Sequence, residues 1–432
     1  MSIQIKDEHA SIMPAKPVVL ITVILIAAVL AAGCTQAGTP GPAAREAGQN
    51  APPEETRAAL QKVMDTGIAS AGIPGAVVEV QAPGWTWKSA AGNSSPFTGE
   101  PARPEMRFLI ASVSKTFTSV AIQQLAEEGK LSLDDPISRW LPADLVKKIP
   151  NGNRITVRQL LDHTSGIADY DEDAIIVMEL QDPSVPVPYT TGINQSLDNS
   201  PLYPPGTNYT YSNVNYNLLA LIADKAAGMP YEEYVNRSIL APAGMNDTYL
   251  SRINYFSGPH MKATDELADG ERYDFTNLYV QFDRGAGEIV STTADLNRFH
   301  RAVRDGRLIS RSSLADMENV TPVSVRVKGS ASSGYGLGYE VRRIPEMNLT
   351  LSGHSGGYYG SSTFWYYSPE LDAYVTLNAN SAVRAADAYN EIYLPIFHYL
   401  QQQAAGTGTA SPALSMSVPV APVPVPAGSG TL

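Results

Sequence analysis

Ser112-Val113-Ser114-Lys115 places a hydroxyl and an amine three residues apart at the start of an apolar-periodic stretch. Phe117, Val120, Ala121 and Leu125 recur at helical spacing, so the stretch Thr116–Glu128 reads as a helix with Phe108–Ala111 as a buried approach. Ser112 then lies at or near the helix N-terminus, where free amides and the helix dipole favour developing negative charge. Three residues on, the Lys115 amine projects past the same turn. A serine hydroxyl is a poor nucleophile until a base takes its proton, and a desolvated lysine can be that base. By itself Ser-x-x-Lys is weak evidence, since so short a pattern also arises by chance.

Two further motifs follow in order. Tyr211-Ser212-Asn213 comes after a Pro204-Pro205-Gly206 turn, and His354-Ser355-Gly356-Gly357 opens an aromatic strand at Ser362–Tyr367. Ser-x-x-Lys, Tyr-x-Asn and His-x-Gly, in that order, resemble the serine β-lactamase and penicillin-binding protein superfamily. Within it the chain is most similar to the class C β-lactamase and D-alanyl-D-alanine carboxypeptidase branch. Gly129–Pro136, Ile155–Gly166, Gly285–Asp295 and Tyr335–Tyr339 also resemble family signatures, and the resemblance runs from about Glu54 to about Leu400.

That resemblance implies a site. Ser112 attacks a carbonyl and forms an acyl-enzyme, and Lys115 accepts its proton. Tyr211 shuttles a proton to the leaving group, with Lys115 lowering its pKa from about 10 or sharing its proton. Asn213 hydrogen-bonds Lys115 and the substrate amide. His354, where β-lactamases typically carry lysine, points to the carboxypeptidase side and faces substrate. Ser355 donates to a substrate carboxylate, and Gly356 lets its strand approach closely. The amides of Ser112 and Gly357 form the oxyanion hole. A hydroxyl residue often stands at the Gly357 position, so its absence removes one carboxylate anchor. Arg284 is an alternative source of positive charge but reads as a surface arginine. His163 reads as part of a helix cap and turn rather than as a catalytic group. Residues 169–198, long, acidic and Pro-bearing, read as a substrate-selecting lid, with a variable loop as the alternative.

The elements that must position these residues follow from the pattern along the chain. Glu54–Ala69 reads as a helix, and Gly75–Gln81 with Trp85–Ala91 as a hairpin. Thr363–Tyr367 and Tyr374–Asn378 form a second hairpin, and Ala385–Gln403 a closing helix. Strands at both ends with helices between give an α/β (α+β) fold of β-lactamase/transpeptidase type. In it an antiparallel sheet is flanked by helices and carries an inserted, mostly helical lobe, with the site between the two.

Composition narrows the partners. A formal charge of −12 with no basic stripe argues against nucleic acid. No His-Glu-x-x-His or paired cysteines occur, so neither a metal nor another cofactor is expected. The single cysteine, Cys34, follows Lys16, an apolar run from Pro17 to Ala32, and Gly33. The run is shorter than the roughly 20 residues a spanning helix needs. It reads as a secretory signal, residues 1–33, and Ala31-Ala32-Gly33-Cys34 resembles a lipobox whose cysteine is acylated. Met13 is an alternative start. Residues 34–53 read as a tether, 54–403 as the hydrolase domain and 404–432 as a disordered Pro/Ala/Gly-rich tail. The expectation is an exported lipoprotein on the outer or periplasmic face of the membrane, acting on a small peptide, β-lactam or ester. D-alanyl-D-alanine carboxypeptidase activity leads. β-Lactamase, carboxylesterase and a β-lactam-acylated surface binding protein are the alternatives.

Overall fold

The nearly continuous apolar run in Gly75-Ala-Val-Val-Glu-Val favours a strand buried on both faces, and the first strand pairs on both edges. The computed structural model describes residues 50–406 except 183–186, 251–255, 268–269, 279–280 and 322–332. All lie in one unit, Glu46–Leu432. The signal, Cys34, nearly all of the tether and most of the tail fall outside them. Among the described residues no helix is long and apolar enough to cross a membrane.

Eight of the described strands make one antiparallel sheet: β1 (Gly75–Ala82), β2 (Trp85–Ser95), β3 (Glu100–Pro101), β4 (Ser333–Tyr335), β5 (Glu340–Ile344), β6 (Leu349–Tyr358), β7 (Ser361–Ser368) and β8 (Ala373–Ala379). Their order is β3-β2-β1-β8-β7-β6-β5-β4. The period-two rule divides their side chains between two cores. Val78, Val80, Phe364 and Tyr366 face helix Glu54–Ala71 and the C-terminal helical segment, while Val77 and Trp365 join the core of the helical lobe. The expected hairpins and terminal helices are present. The C-terminal one runs from Ala385 to Ala404 with a π-turn at Tyr389–Tyr393. His354–Gly357 do not open the aromatic strand. They lie inside β6, which pairs with it in the register His354↔Trp365 and Gly356↔Thr363.

Residues 169–198 are not a plain loop. They contain two helices, Glu172–Gln181 and Tyr189–Leu197, whose flanks are tied to the body: the Tyr170 hydroxyl donates to Asp283, and Ser196 to the Ala168 carbonyl. Arg284 is not on the surface either. It is 10% exposed and forked between Asp224 (2.8 and 2.9 Å) and Glu232 (2.8 and 3.0 Å). Removing one partner of a buried pair strands the other charges. Arg284→Met is therefore expected to lower unfolding stability by about 3 kcal/mol, read by urea denaturation; an unchanged midpoint would mean that the network contributes nothing.

Candidate active site

Ser112 sits on a bent lead-in to its helix. Residues Ala111–Val113 form a 3₁₀ turn before helix Ser114–Glu127, and Ala111 has φ +48°, a strained value for an alanine. A small ribbon holds the turn: Phe108–Leu109 pairs with Ile289–Ser291, the Ile110 amide donates to Ile289 (2.9 Å), and the Ile289 amide donates to Ser114 Oγ (3.2 Å). Three hydroxyls of the helix reach outward to neighbouring carbonyls. Thr116 and Ser119 donate to Gly338 and Leu337, and Thr118 to Gly285. The segments Gly285–Asp295 and Tyr335–Tyr339 thus clamp the helix that follows Ser112.

Lys115 is fully buried, and its Nζ donates to Ser112 Oγ (3.1 Å) and to the Ala286 carbonyl (2.9 Å). Burial lowers its pKa, against the pull of the Asp283, Asp169, Glu172 and Glu288 carboxylates. A buried amine whose proton is loosened, aimed at a serine hydroxyl, is the arrangement a general base requires. The Ala286 carbonyl takes the place expected of Asn213, which makes no hydrogen bond to Lys115. Instead the Asn213 and Val214 amides donate to Asp169 (2.8 and 3.1 Å), so that carboxylate caps helix Asn213–Ala227 from the neighbouring segment.

Tyr211 also departs from expectation. Lys115 Nζ lies 4.9 Å from its ring centroid, yet burial pushes the phenol well above the ordinary tyrosine range, with only the Ser112 hydroxyl pulling it down. Its buried Oη has no full hydrogen-bond partner among the described residues. The phenol is thus a neutral proton donor beside Ser112. The His163 ring packs tilted against the same ring at 4.3 Å, and its Nδ1 accepts the Ser212 amide (3.2 Å), so the 160–166 turn fixes the tyrosine from behind. His163 is at φ +60° and positions Tyr211.

On β6, His354 is buried and committed: Nε2 meets the Tyr335 hydroxyl at 2.9 Å and Nδ1 its own strand at the Ser355 carbonyl, 2.5 Å. It borders the cavity as a tethered imidazole. The Ser355 hydroxyl, expected to meet a substrate carboxylate, accepts from Arg342 (3.0 Å), whose guanidinium is forked onto Glu340. Gly356 does what its lack of a side chain allows. A Cβ there would lie 2.1 Å from the Ile110 carbonyl oxygen and 3.1 Å from the Ser112 nitrogen. Gly357 follows at the cavity wall.

Ser112, Tyr211, Asn213, His354, Ser355 and Gly357 all line one cavity of about 530 Å³. The residues that local motifs did not reveal are Ala286, Asp169, Glu340 and Tyr335. Ala286 and Tyr335 lie in signature-like stretches, but nothing local marks what they touch. Among the described residues no cluster of metal-ligating side chains occurs.

A serine hydroxyl against a buried lysine, with a phenol beside it on a sheet-and-helical-lobe scaffold, fits a serine hydrolase of the β-lactamase/transpeptidase fold. The chain belongs to the Beta-lactamase family, whose model matches residues 60–395. It is 33% identical over 289 residues to Penicillin-binding protein 4* of Bacillus subtilis, a match covering 61% of this chain and 58% of that protein. Of solved structures, a D-stereospecific amidohydrolase from Streptomyces sp. superposes with TM-score 0.67 at 29% identity, over 77% of this chain and 98% of the other. The D-amino acid amidase of Ochrobactrum anthropi SV3, complexed with D-phenylalanine, gives 0.66 at 26% identity, over 76% and 92%.

Proposed function

We propose that this serine hydrolase cleaves amide bonds of D-amino-acid peptides and amides, D-alanyl-D-alanine ends of peptidoglycan stems among them, through an acyl-Ser112 intermediate. The observation that carries this reading is the 3.1 Å contact between Ser112 Oγ and the buried Lys115 amine. Ser112 Oγ attacks the scissile carbonyl while its proton passes to Lys115 Nζ. The Tyr211 phenol then gives its proton to the leaving nitrogen and regains one from Lys115, and water releases the acyl group by the same route reversed. Gly356 brings the Gly357 strand against the Ser112 turn, where amides can stabilise the oxyanion. The D-specific amidohydrolase and amidase among the structural neighbours support the amide substrate.

An intact-mass time course with benzylpenicillin and with D-amino-acid amides tests the reading, with Ser112→Ala as control. Amide turnover, with any penicillin adduct confined to the serine enzyme, is expected. Penicillin or ester turnover with inert amides would replace it by a β-lactamase or esterase reading, and a lasting adduct without turnover by a surface binding protein. We also propose that the enzyme is exported and tethered to the membrane through acylated Cys34. That rests on the leader sequence alone. Cys34→Ala is expected to release the protein from the membrane fraction, and retention would refute the anchor.

A further inference from the structure

The charge around the nucleophile is one-sided. Asp169, Asp171, Glu172, Asp173, Asp283 and Glu340 border the cavity, and neither lysine nor arginine is among its lining residues. The two nearby cations are committed: Lys115 is buried behind Ser112, and Arg342 is forked onto Glu340. Most of the carboxylates are committed as well. Asp169 caps the Asn213 helix, Asp171 accepts the Ala174 amide (3.0 Å), Asp173 accepts the Tyr359 hydroxyl, and Asp283 the Tyr170 hydroxyl (2.7 Å). Glu172 is the exception, for it makes no hydrogen bond or ion pair among the described residues. Burial, Asp283 and Asp169 push its pKa well above the usual carboxylate range, so Glu172 gives up its proton only when a cation comes beside it.

A cavity of this size takes a substrate only a few residues long. Any charged group on that substrate therefore meets this wall close to the scissile bond. A terminal carboxylate would face like charge, whereas an ammonium would meet complementary charge. We propose that the acidic wall is a subsite for a free ammonium group beside the scissile carbonyl, with Glu172 as its anchor. The enzyme then selects D-amino-acid amides and short D-peptides with an unblocked amine over carboxylate-ended ones. This rests on the amide-hydrolase reading above and chooses within it. A bound ammonium also takes over carboxylates that otherwise favour a protonated Lys115, so the preferred substrate helps to free the base that attacks it.

Calorimetry on the Ser112→Ala protein, which needs no turnover, tests the subsite with three ligands: D-phenylalaninamide, N-acetyl-D-phenylalaninamide and N-acetyl-D-alanyl-D-alanine. The free amine is expected to bind at least about tenfold more tightly than the other two. Adding Glu172→Gln should bring that preference within about twofold while leaving affinity for the acetylated amide and the melting temperature unchanged. Equal or tighter binding of a blocked ligand, no binding of any, or a preference that survives Glu172→Gln would each overturn the proposal. Turnover by the unmodified enzyme separates the two readings. An amine preference without amide turnover defeats the amide-hydrolase reading alone, and turnover without preference defeats the subsite alone.

Discussion

Lys115→Met is expected to slow acylation of Ser112 by about a thousandfold or more with the fold retained. Methionine fills much of the same buried volume, so the loss reports the amine and not a cavity. The lysine donates to Ser112 and Ala286 and has no direct ion-pair partner among the described residues, so removing it strands no paired charge. Acylation needs the neutral amine, so its rate must rise with pH as Lys115 loses its proton. Because burial lowers that pKa, the rise should lie on the acid side of lysine's ordinary 10.5. Rates of adduct formation across pH, by intact mass, check both points. Near-normal acylation in Lys115→Met, or a rate that stays flat until lysine's ordinary range, would remove Lys115 from the mechanism.

Gly356→Ala tests the other side of the site. The added methyl would meet backbone, the Ile110 carbonyl at 2.1 Å, and no rotamer can relieve that. Either β6 or the Ser112 turn must move, and the turn is already strained at Ala111. Overpacking costs about 1–3 kcal/mol of stability. The larger effect should be on the reaction, at least about a hundredfold in acylation rate, because the amides around the oxyanion lose their spacing. Adduct kinetics and a thermal melt on one preparation separate the two. A variant that acylates at the normal rate would show that β6 does not set the geometry.

What the sequence made legible was local. Ser112 and Lys115 share one turn, the hairpins follow from two apolar runs joined by turns, and Gly356 is a glycine for a reason that one contact explains. What it hid was assembled across the chain. Ala286 reaches Lys115 from 171 residues away, and Asp169 caps a helix that begins 44 residues later. An acceptor carbonyl has no side-chain signature, so no spacing rule marks Ala286. Arg284 reads as exposed because an isolated arginine usually is. Its burial depends on Asp224 and Glu232 arriving from other helices. Tyr211 follows the same logic: the nearby Lys115 suggests a lowered pKa, whereas burial pushes it up.

The register of the central sheet also governs when the enzyme comes into being. β1 lies against β8, Val78 opposite Leu377, and the Gly75 amide donates to the Asn380 side chain 305 residues along the chain. Loops that long are costly to close and make such pairings late events in folding. The strand carrying His354 and Gly356 reaches the nucleophile only when the last third of the polypeptide has been made. A chain emerging from a ribosome or a translocation pore therefore holds Ser112 without a working site, and hydrolytic competence should appear abruptly, with the final strands.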